Sequence, residues 1–300
     1  MPTEPLYDVV IVGGSYAGLA GAMQLGRARR QVAVIDAGQR RNRFAKTSHG
    51  FLTQDGRAPE AIAADARAQV LAYPTVTWID GRATAAERAD GTFRVALESG
   101  ETVTGKRLIL AGGVVDELPE IPGLQERWGR SVFACPYCHG YELNQGRVGV
   151  IATSPMSLHQ AQLLPDWGQV TFFTNGAIEL DTAQAQDLAE RGVTVEPTLI
   201  EAIVGDATPT VRLQDGREVM VDGLFTASRI HLASPLAEQL GCALEEGPMG
   251  NFIRVDEMKQ TSVPGVFAAG DAARMAASVT FAVADGAMAG ISAHRSLVFG

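Results

Sequence analysis

Short apolar runs alternate with longer amphipathic stretches from the N-terminus of the chain onward. "YDVVIVGG" is rich in Val and Ile, which predicts a buried β-strand, and "SYAGLAGAMQLGRARR" after it has the Ala and Leu content of a helix. "QVAVIDAG" follows as a second apolar strand. Strand, helix and strand in this order predict a βαβ unit with a parallel sheet and a right-handed crossover.

The same pattern starts again near the middle of the chain, in "GRVGVIAT", "SLHQAQLLPDW" and "QVTFFT". Before it, the alternating stretch from "TVTWIDGRATAAE" to "ETVTGKRLILAGG" predicts an inserted hairpin sheet that rejoins the parallel sheet at "LILAGG". The C-terminal stretch from "GVFAAGD" onward predicts a strand, a turn and an Ala-rich helix that complete the first unit. The predicted fold class is therefore α/β, with two doubly wound, Rossmann-like, three-layer domains, the second inserted into the first.

Composition narrows the possible partners. The chain has 300 residues, of which 46% are hydrophobic and 20% charged, which suits two domains with large cores. A net charge of -9 argues against a nucleic-acid partner, because phosphate binding needs a basic face and the only basic run is "RRNR". We see neither a leader pattern nor an apolar run of membrane-spanning length, so we expect a cytoplasmic protein with no membrane partner.

The first glycine turn, "VGGSYAG", predicts a dinucleotide site. Gly13, Ser15 and Gly18 match G-x-G-x-x-G with the middle glycine replaced, and Asp36 closes the second strand. Gly13 permits the tight turn, Gly18 permits close approach of helix and strand, and the helix N-terminus presents N–H groups to a pyrophosphate. Asp36 is placed to accept hydrogen bonds from a ribose hydroxyl.

"FACPYCHGYE" carries two of the three cysteines, Cys135 and Cys138, at a spacing that three chemistries use. A zinc site needs four ligands, and only His139 lies nearby, so we expect no metal. A glutaredoxin-like dithiol needs a strand-helix pattern around the cysteines and a nearby proline loop, and both are missing. The third chemistry, a redox disulfide beside a flavin, is the interpretation that the rest of the chain favours.

Four motifs in one order resemble the low-molecular-weight thioredoxin reductase family of flavoproteins along nearly the whole chain. They are "VIVGGSYAGLAGA", "LILAGGVVDELPEIPG", C-P-Y-C and "GVFAAGDAA". The resemblance implies an FAD-binding domain at 1–115 and 246–300, and an inserted domain at 116–245 that carries the cysteines and a degenerate nucleotide-binding turn. It also implies a homodimer formed through the flavin domain.

The resemblance further implies which residues hold FAD, with the aspartate of the Gly-Asp pair on the ribityl chain. His49, where the family's chain passes the flavin, is open to three interpretations: a flavin contact, a second proton carrier or a structural histidine. The full implied set is Gly13, Gly14, Ser15, Ala17, Gly18, Asp36, Asn42, His49, Ala83, Gly112, Gly270, Asp271 and Val279.

The catalytic candidates are Cys135, Cys138 and His139. By resemblance, Cys138 is the sulfur next to the flavin and Cys135 the outer sulfur that exchanges with substrate. His139 stands where the family has an acidic proton shuttle, and an imidazole suits a general base; the alternative is a histidine merely exposed on a loop. Glu142 is a weaker relay candidate, and Cys242 is expected to pack as a small apolar side chain.

The second glycine turn has lost its glycines. After "RVGVI" the chain reads Ala152-Thr153-Ser154-Pro155-Met156-Ser157, in which Pro155 has no N–H to give to a phosphate. Thr174 and Asn175 stand where the family places arginines for the 2′-phosphate of NADPH. Both changes argue against NADPH; the alternative is a divergent turn that binds it weakly.

Without NADPH, electrons must enter or leave elsewhere. C-P-Y-C-H resembles the dithiol oxidases of the gliotoxin and holomycin type, which close a small-molecule dithiol into a disulfide with oxygen as acceptor. A second possibility is a reductase of a thioredoxin-like protein, fed weakly by NADPH or by ferredoxin or another redox carrier. A third, of a different class, is a flavin redox sensor without turnover.

Overall fold

The apolar runs of the sequence form two parallel sheets in the computed structural model, which describes residues 5–205 and 208–300. The first part of the chain supplies β1 (Leu6–Val12), α1 (Tyr16–Arg27), β2 (Val32–Asp36), α2 (Pro59–Leu71), β3 (Val76–Asp80), β4 (Ala83–Ala89), β5 (Thr92–Leu97), β6 (Thr102–Leu110) and β7 (Val114–Glu117).

The middle part supplies β8 (Val132–Phe133), α3 (Pro136–His139), β9 (Arg147–Ile151), α4 (Ser157–Leu163), β10 (Gln169–Phe173), α5 (Thr182–Glu190), β11 (Thr194–Glu196), β12 (Ile200–Val204), β13 (Thr210–Leu213), β14 (Glu218–Met220) and β15 (Gly223–Thr226). The last part supplies β16 (Arg229–Leu232), α6 (Leu236–Gln239), β17 (Leu244–Gly247), β18 (Gly250–Ile253), β19 (Val266–Ala268) and α7 (Val279–Phe299).

The first sheet runs β3-β2-β1-β6-β5-β4, with β19 also paired to β6. Its strands β3, β2, β1, β6 and β19 are parallel, whereas β4 and β5 are antiparallel additions. Leu110 pairs with both Val12 and Ala268, so three strands end at one edge. The predicted FAD turns follow these strand ends, as expected for a parallel sheet whose ligands bind at the carboxyl ends of its strands.

One sequence expectation for this sheet is wrong. The hairpin sheet was expected to begin at "TVTWID", but β3 is a parallel strand beside β2, with Trp78 opposite Val34. The reason is that α2 precedes β3 and carries the chain back across the sheet, so that β2, α2 and β3 form a second crossover.

The C-terminal stretch completes the first sheet, as predicted. β19 pairs with β6, and α7 lies against α1 at a contact that only small residues permit. A Cβ on Gly290 would lie 2.6 Å from the carbonyl oxygen of Gly21, and one on Gly286 would collide with the carbonyl oxygen of Ala17. This close approach fixes the position of α1, and the N-terminus of α1 is part of the predicted FAD site.

The second sheet, β11-β10-β9-β15-β8, is entirely parallel, and a three-stranded antiparallel sheet, β12-β13-β14, accompanies it. Fully buried Phe172, Phe173 and Phe225 fill its core, as expected for strands covered on both faces. The α/β class with two doubly wound sheets is confirmed. No helix within 5–205 or 208–300 has the length and apolarity to cross a bilayer.

The chain divides into two units with one boundary at the predicted position, between residues 115 and 116, whereas the chain returns to the first unit at 229/230 rather than at the predicted 245/246. The first unit comprises the segment ending at Arg43, Pro59–Val115 and Ile230–Gly300, and the second comprises Phe44–Ala58 and Asp116–Arg229. The chain returns earlier because Leu236 and Ala237 are buried in the core of the first unit. Phe44–Ala58 joins the second unit because its side chains contact residues there, such as Gly129 against Phe44.

Candidate active site

Cys135 and Cys138 are joined in a disulfide at the start of α3. Cys135 is the residue that precedes the helix, Pro136 opens it, and the amide of Cys138 donates to the carbonyl of Cys135 at 3.2 Å. Proline at this position presets the helical backbone angle without losing a needed N–H. The described residues contain no group of three or more His, Cys, Asp or Glu side chains arranged to hold a metal ion.

His139 is the last residue of α3, and its ring stacks on Phe133 at 4.3 Å with 12° between the ring planes. Neither ring nitrogen has a hydrogen-bond partner within the described residues. Burial, with a smaller contribution from the charge of His49, lowers the pKa of His139 to about 4. The imidazole is therefore neutral at pH 7, and it is half-buried at the end of a helix, which argues against a histidine merely exposed on a loop.

His49 lies in the segment 44–58 and contacts Glu142, which follows α3. Its Nδ1 is 3.3 Å from Glu142 Oε1 and 3.6 Å from Asp55 Oδ1, and its Nε2 is 3.1 Å from Thr47 Oγ1. Two carboxylates on one ring nitrogen favour a proton on Nδ1. The structure thus brings together His49 and Glu142, which the sequence suggested only separately.

The first glycine turn keeps the helix N-terminus open. The amide of Gly13 donates to the carbonyl of Ile35 at 2.8 Å, and the amide of Gly14 donates to Asp36 Oδ1 at 3.1 Å. Ser15 precedes α1 without capping it through its side chain. Gly13 has a φ of +106°, and a Cβ on Gly18 would collide with the carbonyl oxygen of Gly13, so the turn requires glycine at both positions.

The residues predicted around the rest of the FAD include one polar group without a partner. Asn42 Nδ2 donates to the Tyr16 hydroxyl at 3.2 Å, but its buried Oδ1 has no hydrogen-bond partner in the part of the chain described. Asp271 Oδ2 forms an ion pair with Arg41 Nη1 at 2.9 Å. From the sequence, "RRNR" was considered only as a possible nucleic-acid surface and Arg41 was not singled out, although the run itself was a visible signal.

The other predicted FAD positions lie at several places in the first unit. Gly270 has a φ of +72°, and its Cβ position lies 3.0 Å from the Ala17 side chain. Gly112 is exposed just after β6, and Val279 opens α7, which is capped by the Ser278 side chain. Ala83 is buried at the first position of β4.

Several backbone amides of the second glycine turn donate to acceptors within the same turn. Ser157 Oγ, which is fully buried, accepts from the amide of Thr153 at 3.0 Å. The amides of Ser157, Leu158 and His159 donate to carbonyls of the turn, at distances of 3.0 to 3.3 Å. These four amides, at and just before the start of α4, therefore already have acceptors within the protein.

Glu196 ends β11 and places a carboxylate beside the end of β10, near Thr174, one of the two positions where the sequence lacks a cation for the 2′-phosphate. The amide of Thr174 donates to the carbonyl of Glu196 at 3.1 Å. The Arg217 guanidinium donates hydrogen bonds to both oxygens of the Glu196 carboxylate, and its Nε lies 2.7 Å from Asp215 Oδ2. The guanidinium lowers the pKa of Glu196 to about 2. Two carboxylates and one guanidinium leave this group with net negative charge, which sequence reasoning did not foresee.

Residues 7–286 match the model of the pyridine nucleotide-disulphide oxidoreductase family. The chain belongs to this family. A curated relative, thioredoxin reductase tcpT of Claviceps purpurea, is 35% identical over 99% of this chain and 96% of its own length.

Two solved structures are also similar to this chain. An oxidoreductase from Agrobacterium tumefaciens is 57% identical, with a TM-score of 0.96 over 98% of this chain and 99% of that one. HlmI is 35% identical, with a TM-score of 0.92 over 97% of this chain and 92% of that one. The resemblance inferred from the sequence is thereby confirmed, and the chain is a flavin disulfide oxidoreductase.

Membership of the pyridine nucleotide-disulphide oxidoreductase family implies FAD, and the described residues fit it. The uncapped start of α1 supplies amide donors, and the glycine cradle leaves room that a Cβ would fill. Asn42 Oδ1 is a buried acceptor that lacks a donor, as expected for a group that meets a ligand. The individual FAD-binding residues stay predictions.

Cys242, the third cysteine, has the structural role that was predicted. It is free, and it is buried in the core of the first unit. Burial raises the pKa of its thiol, although a contact of 3.6 Å with Thr261 Oγ1 acts in the opposite direction. A buried neutral thiol of this kind takes no part in thiol exchange.

Proposed function

We propose that the chain is a dithiol oxidase: it closes a small-molecule dithiol into a disulfide through Cys135 and Cys138, passes the electrons to FAD and then to oxygen, and does not use NADPH. The single observation that carries this proposal is the second turn, where Ser157 Oγ and the turn carbonyls already hold the amides that a pyrophosphate would bind. The negative group at Glu196 supports it, because a 2′-phosphate would be repelled there.

The exchange chemistry balances without a nicotinamide. A substrate thiolate attacks Cys135 Sγ, the bond between the two cysteine sulfurs breaks, and its electron pair leaves on Cys138 Sγ. The second substrate thiol then attacks the mixed disulfide and releases Cys135 as a thiolate, so the substrate is oxidised by two electrons and the protein disulfide is reduced. FAD, when bound, supplies the acceptor for these two electrons.

His139 has a role in the second half of this exchange. With the disulfide closed, its pKa of about 4 keeps the ring neutral. A thiolate formed beside α3 would favour the imidazolium and raise that pKa, because opposite charges stabilise each other at short range. His139 thus accepts the second thiol proton and pairs with the Cys135 thiolate.

A second candidate is reduction of a thioredoxin-like protein, which similarity to the thioredoxin reductase tcpT of Claviceps purpurea favours. In that case electrons run in the opposite direction and need a donor. Weak NADPH binding or a separate redox carrier would supply it. The homodimer and the cytoplasmic location also stay predictions.

Anaerobic flavin bleaching separates the two candidates. The purified protein is mixed with millimolar NADPH in one cuvette and with millimolar dithiothreitol in another, and flavin absorbance is followed for minutes. We expect bleaching by the dithiol alone, followed by recovery of the absorbance and oxygen uptake when air is admitted. Rapid bleaching by NADPH with turnover of thioredoxin would overturn the oxidase and establish the reductase.

A further inference from the structure

The segment 44–58 is folded into a closed loop against the redox disulfide. The amide of Ser48 donates to the carbonyl of Arg57 at 2.8 Å, and the amide of Gly56 donates to the carbonyl of Ser48 at 2.9 Å. The Cβ position of Gly50 lies 4.0 Å from the carbonyl oxygen of Tyr137, which stands between the two cysteines. The loop therefore holds its histidine, His49, next to the C-P-Y-C turn.

His49 is mostly buried, but the two carboxylates next to it are exposed to solvent. The His49 side chain is 17% exposed, whereas its partner Glu142 is 40% exposed and its second neighbour Asp55 is 71% exposed. Both carboxylates face Nδ1, while Nε2 meets the hydroxyl of Thr47. The charged or titratable groups around His49 are thus Asp55 on its own loop, Glu142 after α3, and His139 at the end of α3.

The oxidase reaction needs a proton acceptor that His139 does not supply at the start. The first substrate thiol must lose its proton before it attacks, since only the thiolate is nucleophilic. At that moment the disulfide is closed, and the His139 ring is buried on Phe133 with neither nitrogen hydrogen-bonded within the described residues. A histidine with a carboxylate partner and a path to water is better suited to hold that proton.

We propose that His49 accepts the proton of the attacking substrate thiol, and that Glu142 is a positioning residue that holds His49 with its proton on Nδ1. This inference rests on the proposed function, because it assigns the first proton transfer of that reaction. The proton passes by way of the Thr47 hydroxyl to His49 Nε2, the thiolate attacks Cys135 Sγ, and Cys138 leaves as a thiolate. The imidazolium then returns this proton from Nε2 to solvent, which restores the Nδ1–H form that Glu142 holds.

The first experiment separates the charge of Glu142 from its polar contact with His49 Nδ1. Anaerobic reduction of the holoenzyme by dithiothreitol is followed by stopped flow from pH 5 to pH 9 in wild type, Glu142→Gln and Glu142→Leu. Gln keeps an acceptor without charge, so we expect a modest loss of rate and a change in the acidic limb of the pH profile. Leu removes both, and we expect a loss of roughly tenfold or more on the plateau.

Two further variants complete the set. His49→Asn should slow the reduction by roughly 10²-fold and flatten the acidic limb. Glu201→Gln is the matched control, because Glu201 is an exposed glutamate of the same unit on β12, and it should match wild type. Flavin content of each variant confirms folding. Wild-type rates and an unshifted limb in Glu142→Gln, Glu142→Leu and His49→Asn would overturn the proposal.

A second measurement does not depend on turnover. Nitrogen-15 NMR of the oxidised protein at neutral pH reports which ring nitrogen of His49 carries the proton. We expect the Nδ1–H form in wild type and Glu142→Gln, and a mixture in Glu142→Leu. A dominant Nε2–H form in wild type would overturn the proposal. If dithiol reduces no variant, including wild type, the proposed function fails, while the NMR result still judges the pairing of His49 and Glu142.

Discussion

The turn between β1 and α1 and the turn between β9 and α4 occupy the same place in two similar βαβ units, yet they differ in what their backbone donors do. No side chain caps either helix. In the first turn, Gly13 and Gly18 lack the Cβ atoms that would collide with backbone atoms, and the Gly14 amide donates to Asp36. In the second, Ser157 Oγ reaches back to the Thr153 amide, and the following amides bond within the turn.

This difference shows that topology alone does not make a dinucleotide site. A helix N-terminus binds an anion through amides that lack a partner, so a turn that satisfies those amides internally has no donors left to offer. In the second turn a buried serine accepts a hydrogen bond from the Thr153 amide. The first unit thus fits a bound cofactor, whereas the function proposed above needs no dinucleotide in the second.

The largest effect is expected from Gly18→Ala in the first turn. The added Cβ would collide with the carbonyl oxygen of Gly13, so α1 must move away from the turn. We expect a loss of about 3 kcal/mol in the free energy of unfolding and most of the bound flavin. Urea denaturation and the flavin absorbance per chain measure the two effects.

Ser154→Ala in the second turn is the matched control for this variant, since it also changes one small residue of a βα turn. It should retain flavin as wild type does, because the second turn holds no part of the predicted FAD site. Equal flavin loss in the two variants would contradict the contrast between the turns.

Rebuilding the second turn should produce the next largest effect. Ala152→Gly, Ser154→Gly and Pro155→Asn together remove two side chains and return one backbone N–H. Each restored hydrogen bond to phosphate contributes roughly 1.5 kcal/mol or more, so we expect NADPH to bind at least about tenfold more tightly than to wild type. Isothermal titration calorimetry gives both dissociation constants.

NADH provides the internal comparison for the rebuilt turn. Thr174 and Asn175 carry no charge to recognise a 2′-phosphate, so the triple variant should bind NADH and NADPH alike. If wild type binds NADPH as tightly as the variant does, the turn opens in solution and the contrast fails.

Much of the fold was predictable because its signals are local. The apolar strands and the Ala-rich helices of both units stand in the sequence in chain order, and the final strand and helix were correctly returned to the first unit. β3 was missed because "TVTWIDGRATAAE" runs straight from one strand into the next, so a parallel edge strand and the start of a hairpin look like one alternating stretch.

For the candidate site too, features set by local sequence spacing were predictable, whereas contacts between residues far apart in the sequence were not. Gly13, Gly18 and the Cys135–Cys138 disulfide were predictable because spacing along the chain fixes their geometry. Arg41 and Asp271 lie 230 positions apart, and their pairing exists only once the sheet has formed. The pairing of His49 with Glu142 was hidden for the same reason, as was the stack that buries His139.

The ion pair between Glu196 and Arg217 should affect how the free energy of unfolding depends on pH. Arg217 lowers the pKa of Glu196 from its ordinary 4.5 to about 2, so between these values the unfolded chain binds more protons than the folded one. The stability that this pair contributes is present above pH 4.5 and is lost as the pH falls toward 2. Glu196→Gln should reduce the acid slope of the unfolding free energy by up to about one proton.

Urea denaturation between pH 2.5 and pH 6 measures that slope. Glu218→Gln, an exposed glutamate paired with Arg212 at 3.0 Å, is a suitable control and should change the slope little, because surface ion pairs contribute weakly. Equal slopes in wild type and Glu196→Gln would show that Arg217 does not hold the carboxylate in solution, and the negative group beside the second turn would lose its support.

The smallest effect, and the most direct on the turn, is expected from Ser157→Ala. Removing the fully buried Oγ leaves the Thr153 amide without its acceptor, which should lower the free energy of unfolding by about 1 to 2 kcal/mol and speed hydrogen exchange at Thr153. Ser154→Ala should leave that exchange rate unchanged. NADPH should still fail to bleach the flavin of Ser157→Ala, because Pro155 still lacks an N–H and the amides of Leu158 and His159 still bond within the turn. Bleaching by NADPH in this single variant would mean that one hydroxyl group closes the second site, and that the turn is otherwise ready to bind a dinucleotide.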